Sequence, residues 1–405
     1  ERKFLMTVIE NQQKNRVAFF FITTSFLLTV ARGCVLPYIV LYITTVFEKD
    51  ITISGGVLTV SSIVSIILSL CSGRLASLKS GYSALFFLTV GFFISLVFIP
   101  KADNIIFFTV VLISLNLFYS CYEVLLKVFF SNQTVEKDKR RYFSANYLAV
   151  NVGWAIGPLI GSVVQKISMG AIFYSAALIS IIPMIYMVIN YNILSGLTFS
   201  PPEHQQHTDK PLINKKNKLS LIWLTVASFL GAFVYGNPIA YLSQFLIKSY
   251  PQEAVSHIIA LVMLVNAATV MVFQHFTVRL LSKKNLNLFV FIGTACFIFG
   301  LKLFYYANDN FVTWCIGMFF FALGEVIYVP ALFLMTDDLA PPLFRGKYFS
   351  VQNLGAAGAS LSPLVMGFMF SAFSGEYPFV MLASGVLLSC IILIRVSLAH
   401  KNAFR

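Results

Sequence analysis

Three ionisable residues interrupt stretches that are otherwise largely apolar: Arg32 in VARGCVLPYIVLYI, Glu123 in LFYSCYEVLLKVFF and Glu325 in FALGEVIYVP. A charged side chain at the centre of a bilayer costs at least ~2.5–3.5 kcal/mol on insertion scales, so each needs a partner or a water-filled cavity. Burial disfavours the charged form of a carboxylate, and a group held near that balance can take up and release a proton. This chemistry points to Glu325 as the main proton carrier and to Glu123 as a second proton-coupling group. Arg32 would then hold Glu123, or an anionic group of a substrate. Lys127, one turn beyond Glu123, reads as structural. Lys302, near the end of its run, reads as snorkelling to the interface, and His275 as a packed or interfacial histidine.

Polar and aromatic side chains on the same runs could line a cavity around these charges. They are Tyr38 and Tyr42 on the first run, then Asn146, Asn151 and Trp154 on the fifth. The seventh adds Tyr235, Asn237 and Gln244. Each could equally pack one helix against another. Pro37 and Pro238 hold comparable places in runs one and seven, where a broken helix would leave backbone groups for a ligand. Gly153, Gly157, Pro158 and Gly161 follow a Gly-x3-Gly-Pro-x2-Gly spacing. Glycines four apart clear one helix face for a close neighbour, and Pro158 disrupts a backbone hydrogen bond and bends the run. A static packing face and a gate or hinge facing the cavity both fit that spacing.

Catalytic constellations are missing. The chain has no Gly-x4-Gly-Lys-Ser/Thr loop, no HExxH and no Gly-x-Ser-x-Gly, so neither an enzyme nor a cofactor is expected. His204 and His207 have no further ligands clustered with them, and no metal site is expected. The six cysteines all fall in apolar stretches without a CxxC spacing and read as free buried thiols. Asn132-Gln133-Thr134 matches a glycosylation pattern but lies in a connection placed below in the cytoplasm.

The elements that must position these residues are long. The chain is 58 % hydrophobic and 11 % charged, with mean hydropathy +0.82. A soluble domain is about 45–50 % apolar and about 25 % charged, so a water-soluble protein is excluded. Runs long enough to span a bilayer occur near 17–46, 54–77, 83–100, 105–130, 142–166 and 170–195. A second set occurs near 219–248, 255–281, 288–307, 311–336, 347–373 and 377–399. At about 20 residues each, twelve spans use roughly 240 residues. The first run has no small-residue cleavage site after it and reads as a retained span rather than a signal peptide. Between the sets, 196–218 carries Pro201, Pro202 and Pro211 with no helical period and reads as a flexible tether.

The net charge of +13 would suggest nucleic acid in a soluble protein, but its distribution speaks for topology instead. Twenty-two Lys and Arg fall on the side of the termini and of 196–218, and four (Lys49, Lys101, Lys166 and Lys248) on the other. The positive-inside rule puts both termini and the 196–218 connection in the cytoplasm. The two sets also echo one another. Tyr142-Phe143-Ser144 and Tyr348-Phe349-Ser350 lie 206 residues apart, as do Gly161 and Gly367, and Asp103 and Asp309. Glu123-Val124 and Glu325-Val326 lie 202 apart. A repeated six-span unit is the mark of carriers that rock one half against the other around a central site. The expected fold is an all-α membrane protein of twelve transmembrane helices in two pseudo-symmetric six-helix bundles, 1–195 and 219–405.

The glycine motif, with its setting FSANYLAVNVGWAIGPLIG, resembles the antiporter motif of the major facilitator superfamily. With VARGCVLPYIVLYI and FALGEVIYVP…LAPPLFRGKYFS, the chain looks like the bacterial drug-efflux branch and resembles dipeptide and arabinose exporters of the inner membrane. The resemblance covers the whole chain in topology and these blocks in detail. It implies the major facilitator fold, alternating access and a bacterial inner-membrane location. Two departures stand out. Gly73-Arg74-Leu75-Ala76 is followed by Ser77 and Leu78 where the family usually has Asp-Arg, and run four lacks the intramembrane Arg typical of drug antiporters, showing Glu123 and Lys127 instead. The coupling mechanism of drug antiporters therefore does not transfer intact.

The expected function is a proton-coupled secondary transporter, exporting a small amphipathic or zwitterionic solute such as a drug or dipeptide. A siderophore or metallophore exporter and a proton-coupled importer remain open on the same fold; a channel fits the intramembrane acids less well. The partners expected are a small-molecule substrate, protons and the lipid bilayer, without nucleic acid, and the carrier is expected to be a monomer.

Overall fold

The structure, a computed structural model, describes residues 2–69, 81–133, 136–195, 215–281, 285–308, 310–339 and 354–401. Every regular element among them is helical. Spans one to six are Asn15–Val46, Ile51–Ser69, Gly81–Lys101, Ile105–Leu126, Ala145–Val164 and Ala171–Ile189. Span seven is a pair, Leu219–Tyr235 and Pro238–Ser249, bent by 43°. Spans eight to twelve are Gln252–Gln274, Leu286–Tyr306, Phe311–Thr336, Leu354–Ala372 and Tyr377–Ala399. Ile106, Ile167 and Ile189 are each at least 75 % exposed. A surface with such side chains suits acyl chains and not water.

Local chemistry sets several ends. The Asp50 carboxylate accepts the Ile53 N–H at 2.7 Å and caps span two, and Asn104 accepts the Phe107 N–H at 2.8 Å at the start of span four. Asn310 accepts the N–H groups of Val312 and Thr313 at 3.0 and 3.2 Å at the start of span ten. Such caps satisfy donors that a helix start leaves orphaned. Asn104 and Asn310 are again 206 residues apart, so the repeat extends to the caps.

The expected breaks are present in both spans. Span one passes through a 3-10 turn at Leu36–Tyr38 before continuing as Ile39–Val46, and span seven breaks at Gly236-Asn237 before Pro238. The helix of span seven starts at Lys215, so the last four residues of the tether 196–218 are helical. Extending a formed helix by a turn adds a hydrogen bond per residue without a new nucleus.

The chain divides into two compact units: Glu1–Tyr38 with Val60–Thr208, and Ile39–Thr59 with Asp209–Arg405. Within the first, span one packs on spans five and six, and span three on spans four and six. Within the second, span seven packs on spans eleven and twelve, span nine on spans ten and twelve, and span eight on span ten. Adding six to each span number of the first set reproduces four of the pairings in the second. The segment Ile39–Val46 packs on Pro238–Ser249 inside the second unit.

Candidate functional site

In the first unit, spans one and four meet through a ladder of polar pairs. Ser25 donates to Glu123 Oε1 at 3.0 Å, the Thr29 and Tyr119 hydroxyls share a hydrogen bond of 3.1 Å, and Arg32 Nη2 donates to Asn116 Oδ1 at 3.0 Å. The positions rise as 25, 29, 32 on one helix and fall as 123, 119, 116 on the other. Both series follow the three-to-four-residue period that keeps side chains on one helix face, and the spans run antiparallel. The Arg32 guanidinium carbon also lies 4.4 Å from the centroid of the Tyr119 ring, a cation–π contact.

Arg32 and Glu123 are thus brought onto one ladder but make no ion pair; each has a neutral partner instead. Arg32 Nε is buried with no hydrogen-bond partner. Seven residues of span four separate Glu123 from Asn116, about 10 Å of helix.

In the second unit, Glu325 on span ten interacts with the Asn266 amide of span eight, and Tyr235 and Tyr241 of span seven lie within its electrostatic reach. Tyr235 also faces the rings of Phe297 and Tyr328, 6.1 and 6.0 Å away between centroids. Among the described residues Glu325 takes part in no ion pair. A carboxylate with only neutral neighbours inside an apolar helix bundle has two ways to shed its desolvation cost, a proton or an incoming cation.

The other expected residues take varied places. The Tyr38 hydroxyl donates to the Pro158 carbonyl at 2.6 Å, tying span one to span five. The glycines of span five face span one: a Cβ on Gly153 would lie 3.0 Å from Thr29, on Gly157 2.6 Å from the Val30 oxygen, and on Gly161 2.4 Å from the Tyr38 ring. Their side-chain-free face is therefore in use as a packing surface. Asn146 is buried and its Oδ1 has no hydrogen-bond partner. Asn151 donates to the Tyr147 carbonyl of its own helix at 2.9 Å, and Trp154 is half-buried. Asn237 sits at the break of span seven, where its side chain forms no capping bond. Gln244 is fully buried, donating to the carbonyls of Pro363 at 2.8 Å and Ile51 at 3.3 Å, while its Oε1 is unpartnered.

Lys302 is exposed on span nine, in keeping with a snorkelling lysine. The five described cysteines form no disulfide; Cys34, Cys121 and Cys390 are buried, Cys296 and Cys315 partly so. No group of His, Cys, Asp and Glu among the described residues could hold a metal ion. The side chains of Lys127, His275 and Asn132, together with His204, His207, Gly73–Leu78, Asp309 and Arg345–Ser350, fall outside the described residues.

Ser25, Thr29, Asn116, Tyr119, Asn266 and Tyr241 were not anticipated. The signal for the first four was present as two polar stripes at helical spacing, each running into one of the charges. Asn266 was one of two amides, with Gln274, in an apolar run.

Comparison with known proteins agrees with this architecture. The family profile described as Major Facilitator Superfamily matches residues 21–357. The chain is 28 % identical over 381 residues to the uncharacterized MFS-type transporter YdeE of Escherichia coli (strain K12), covering 92 % of this chain and 94 % of that protein. Among solved structures, the peptide transporter POT in complex with sulfate superposes with a TM-score of 0.75 at 13 % identity, over 95 % of this chain and 94 % of that one. The nucleoside transporter NupG gives 0.70 at 14 % identity, over 96 % and 99 %. These identities speak for the fold alone, and with the profile match and the repeated helix pairings they place the chain in the major facilitator superfamily, to which it belongs as a multi-pass membrane transporter.

Proposed function

We propose that this transporter couples proton movement to the export of a small amphipathic or zwitterionic solute by alternating access. In this reading the functional halves are 1–195 and 219–405, joined by the 196–218 tether. The protein is a monomer in a bacterial inner membrane, with both termini in the cytoplasm. Glu325 is the main proton carrier, Glu123 a second coupling group, and Arg32 part of the substrate site. Asn146, with an uncommitted amide oxygen, is the best supported of the other substrate contacts, ahead of Asn151, Trp154, Tyr235 and Asn237. Tyr38 and Gln244 would shape the site through the backbone carbonyls they hold. The Gly153–Gly161 face serves as the close contact on which span five moves against span one.

The observation that carries this reading is Glu325 itself: a carboxylate on a membrane span with an amide and two tyrosines around it and no cation among the described residues. Proton binding neutralises it without any rearrangement of partners, which is what a group that loads on one side and unloads on the other needs. An untargeted comparison of extracellular metabolites, from cells with and without the protein, identifies the solute. Its flux is then followed in proteoliposomes under an imposed pH gradient. Glu325→Gln should abolish gradient-driven flux while leaving solute exchange without a gradient intact. Gradient-driven transport at the wild-type rate in Glu325→Gln would remove Glu325 from that role.

A further inference from the structure

We infer that Arg32, Asn116 and Tyr119 form a seat for a single carboxylate group, so that the transported solute carries one. This rests on the carrier reading above and specifies its substrate class.

The guanidinium is held on two sides. Asn116 Oδ1 accepts from Nη2 at 3.0 Å, and the Tyr119 ring lies 4.4 Å from Cζ. Tyr119 is fixed in turn by its hydrogen bond with Thr29, and Thr29 by its donation to the Ser25 carbonyl at 2.7 Å. The third side is open in the chemical sense: Nε is buried and meets no acceptor. A guanidinium has five N–H donors in a rigid fork, and a charged buried donor without an acceptor is destabilising. The carboxylate on the ladder, Glu123, lies one turn from Tyr119 and within electrostatic reach of Arg32, but it accepts from Ser25 and makes no ion pair with the guanidinium. Glu123 attracts this cation but reaches none of its N–H groups, so a preorganised guanidinium with an unmet donor is left to receive an anionic group.

Two features select a carboxylate over a phosphate. The seat offers one guanidinium, which matches the two oxygens of a carboxylate with paired N–H donors. Glu123 stands on the same ladder, about 10 Å along span four from Asn116, and in its ionised form disfavours a second negative charge on the solute.

The solute exchanged between cells and medium by the full-length protein should therefore carry a carboxylate. In proteoliposomes, the methyl ester of that solute should compete for exchange at least about tenfold more weakly than the free acid. The difference should vanish in Arg32→Gln. In Arg32→Lys, which keeps the charge but loses the fork, part of it should survive. Asn116→Ala and Tyr119→Leu should narrow the ratio without removing it. The acid-to-ester ratio is read within one preparation, so lower yield of a variant does not alter it. A transported solute without a carboxylate, a phosphate ester as the only anion carried, or equal competition by acid and ester in the wild type overturns the inference and leaves the proton-coupled carrier standing. No change in any metabolite pool refutes the carrier reading itself.

Discussion

The ladder between spans one and four mixes two kinds of pair, and single substitutions should separate them. The Thr29–Tyr119 bond joins two neutral hydroxyls. Polar pairs between membrane helices average about 0.6 kcal/mol, because the alternative state in lipid also finds partners. Thr29→Val keeps the shape and removes this bond together with the hydroxyl's donation to the Ser25 carbonyl of its own helix. It should lower stability by about that amount, seen as a small fall in the melting temperature of the detergent-solubilised protein, with transport retained. Ser25→Ala instead leaves Glu123 without the hydroxyl that donates to it, and hydrogen bonds to a charged group contribute roughly 1.5–3 kcal/mol. A larger effect of Thr29→Val than of Ser25→Ala on melting would mean that the charge on Glu123 is not what the ladder serves. The charges themselves were legible in the sequence, since few ionisable residues interrupt the apolar runs. Their neutral partners were not, because a serine or tyrosine in a membrane helix costs little anywhere and only the geometry of two helices selects which one matters.

At the scale of helices, the glycines divide by what surrounds them. On span five, a Cβ at Gly157 would lie 2.6 Å from the Val30 oxygen and 2.7 Å from the Cys34 nitrogen, both backbone atoms that cannot swing away. Across the same contact, a Cβ at Gly33 would meet its nearest atoms at 3.4 Å. Gly157→Ala should force the two spans apart at about 1–3 kcal/mol, as overpacking does elsewhere, whereas Gly33→Ala should melt close to wild type. Equal melting of the two variants would refute the packing argument. In the second unit Gly358 stands against span seven in the same way, with a Cβ 2.1 Å from the Phe229 oxygen, so Gly358→Ala should behave like Gly157→Ala. The spacing announced close contact but left its partner open, since a bare helix face is compatible with any neighbour. Most span limits were legible to within a few residues because charge and apolarity set them, while four of the twelve spans differ by six to eight residues at one end. The capping roles of Asp50, Asn104 and Asn310 were not, because each depends on which backbone N–H the side chain can reach.

Across the whole molecule, the repeat and the charge asymmetry make separate claims. The repeated pairings, span one with five and six, then span seven with eleven and twelve, follow from two stretches that bury similar faces, and offsets of 206 residues had already announced them. Orientation rests on charge alone: 22 Lys and Arg on one set of connections against four on the other. Basic residues flanking a span resist translocation, so the proposed orientation has the richer side in the cytoplasm. Reporter fusions test this directly. Alkaline phosphatase, active only outside the cytoplasm, should be active when fused after Asn104 or Ser168 and inactive after Asp209 or Arg405. A green fluorescent protein that folds only in the cytoplasm should give the opposite pattern. Replacing Lys137, Lys139, Arg140 and Arg141 together by Gln should weaken the preference locally, making the fusion after Ser168 mixed while that after Arg405 stays inactive, because the remaining connections keep their charge. Phosphatase activity after both Asp209 and Arg405 in the wild-type chain would invert the topology and, with it, the direction assigned to proton and solute.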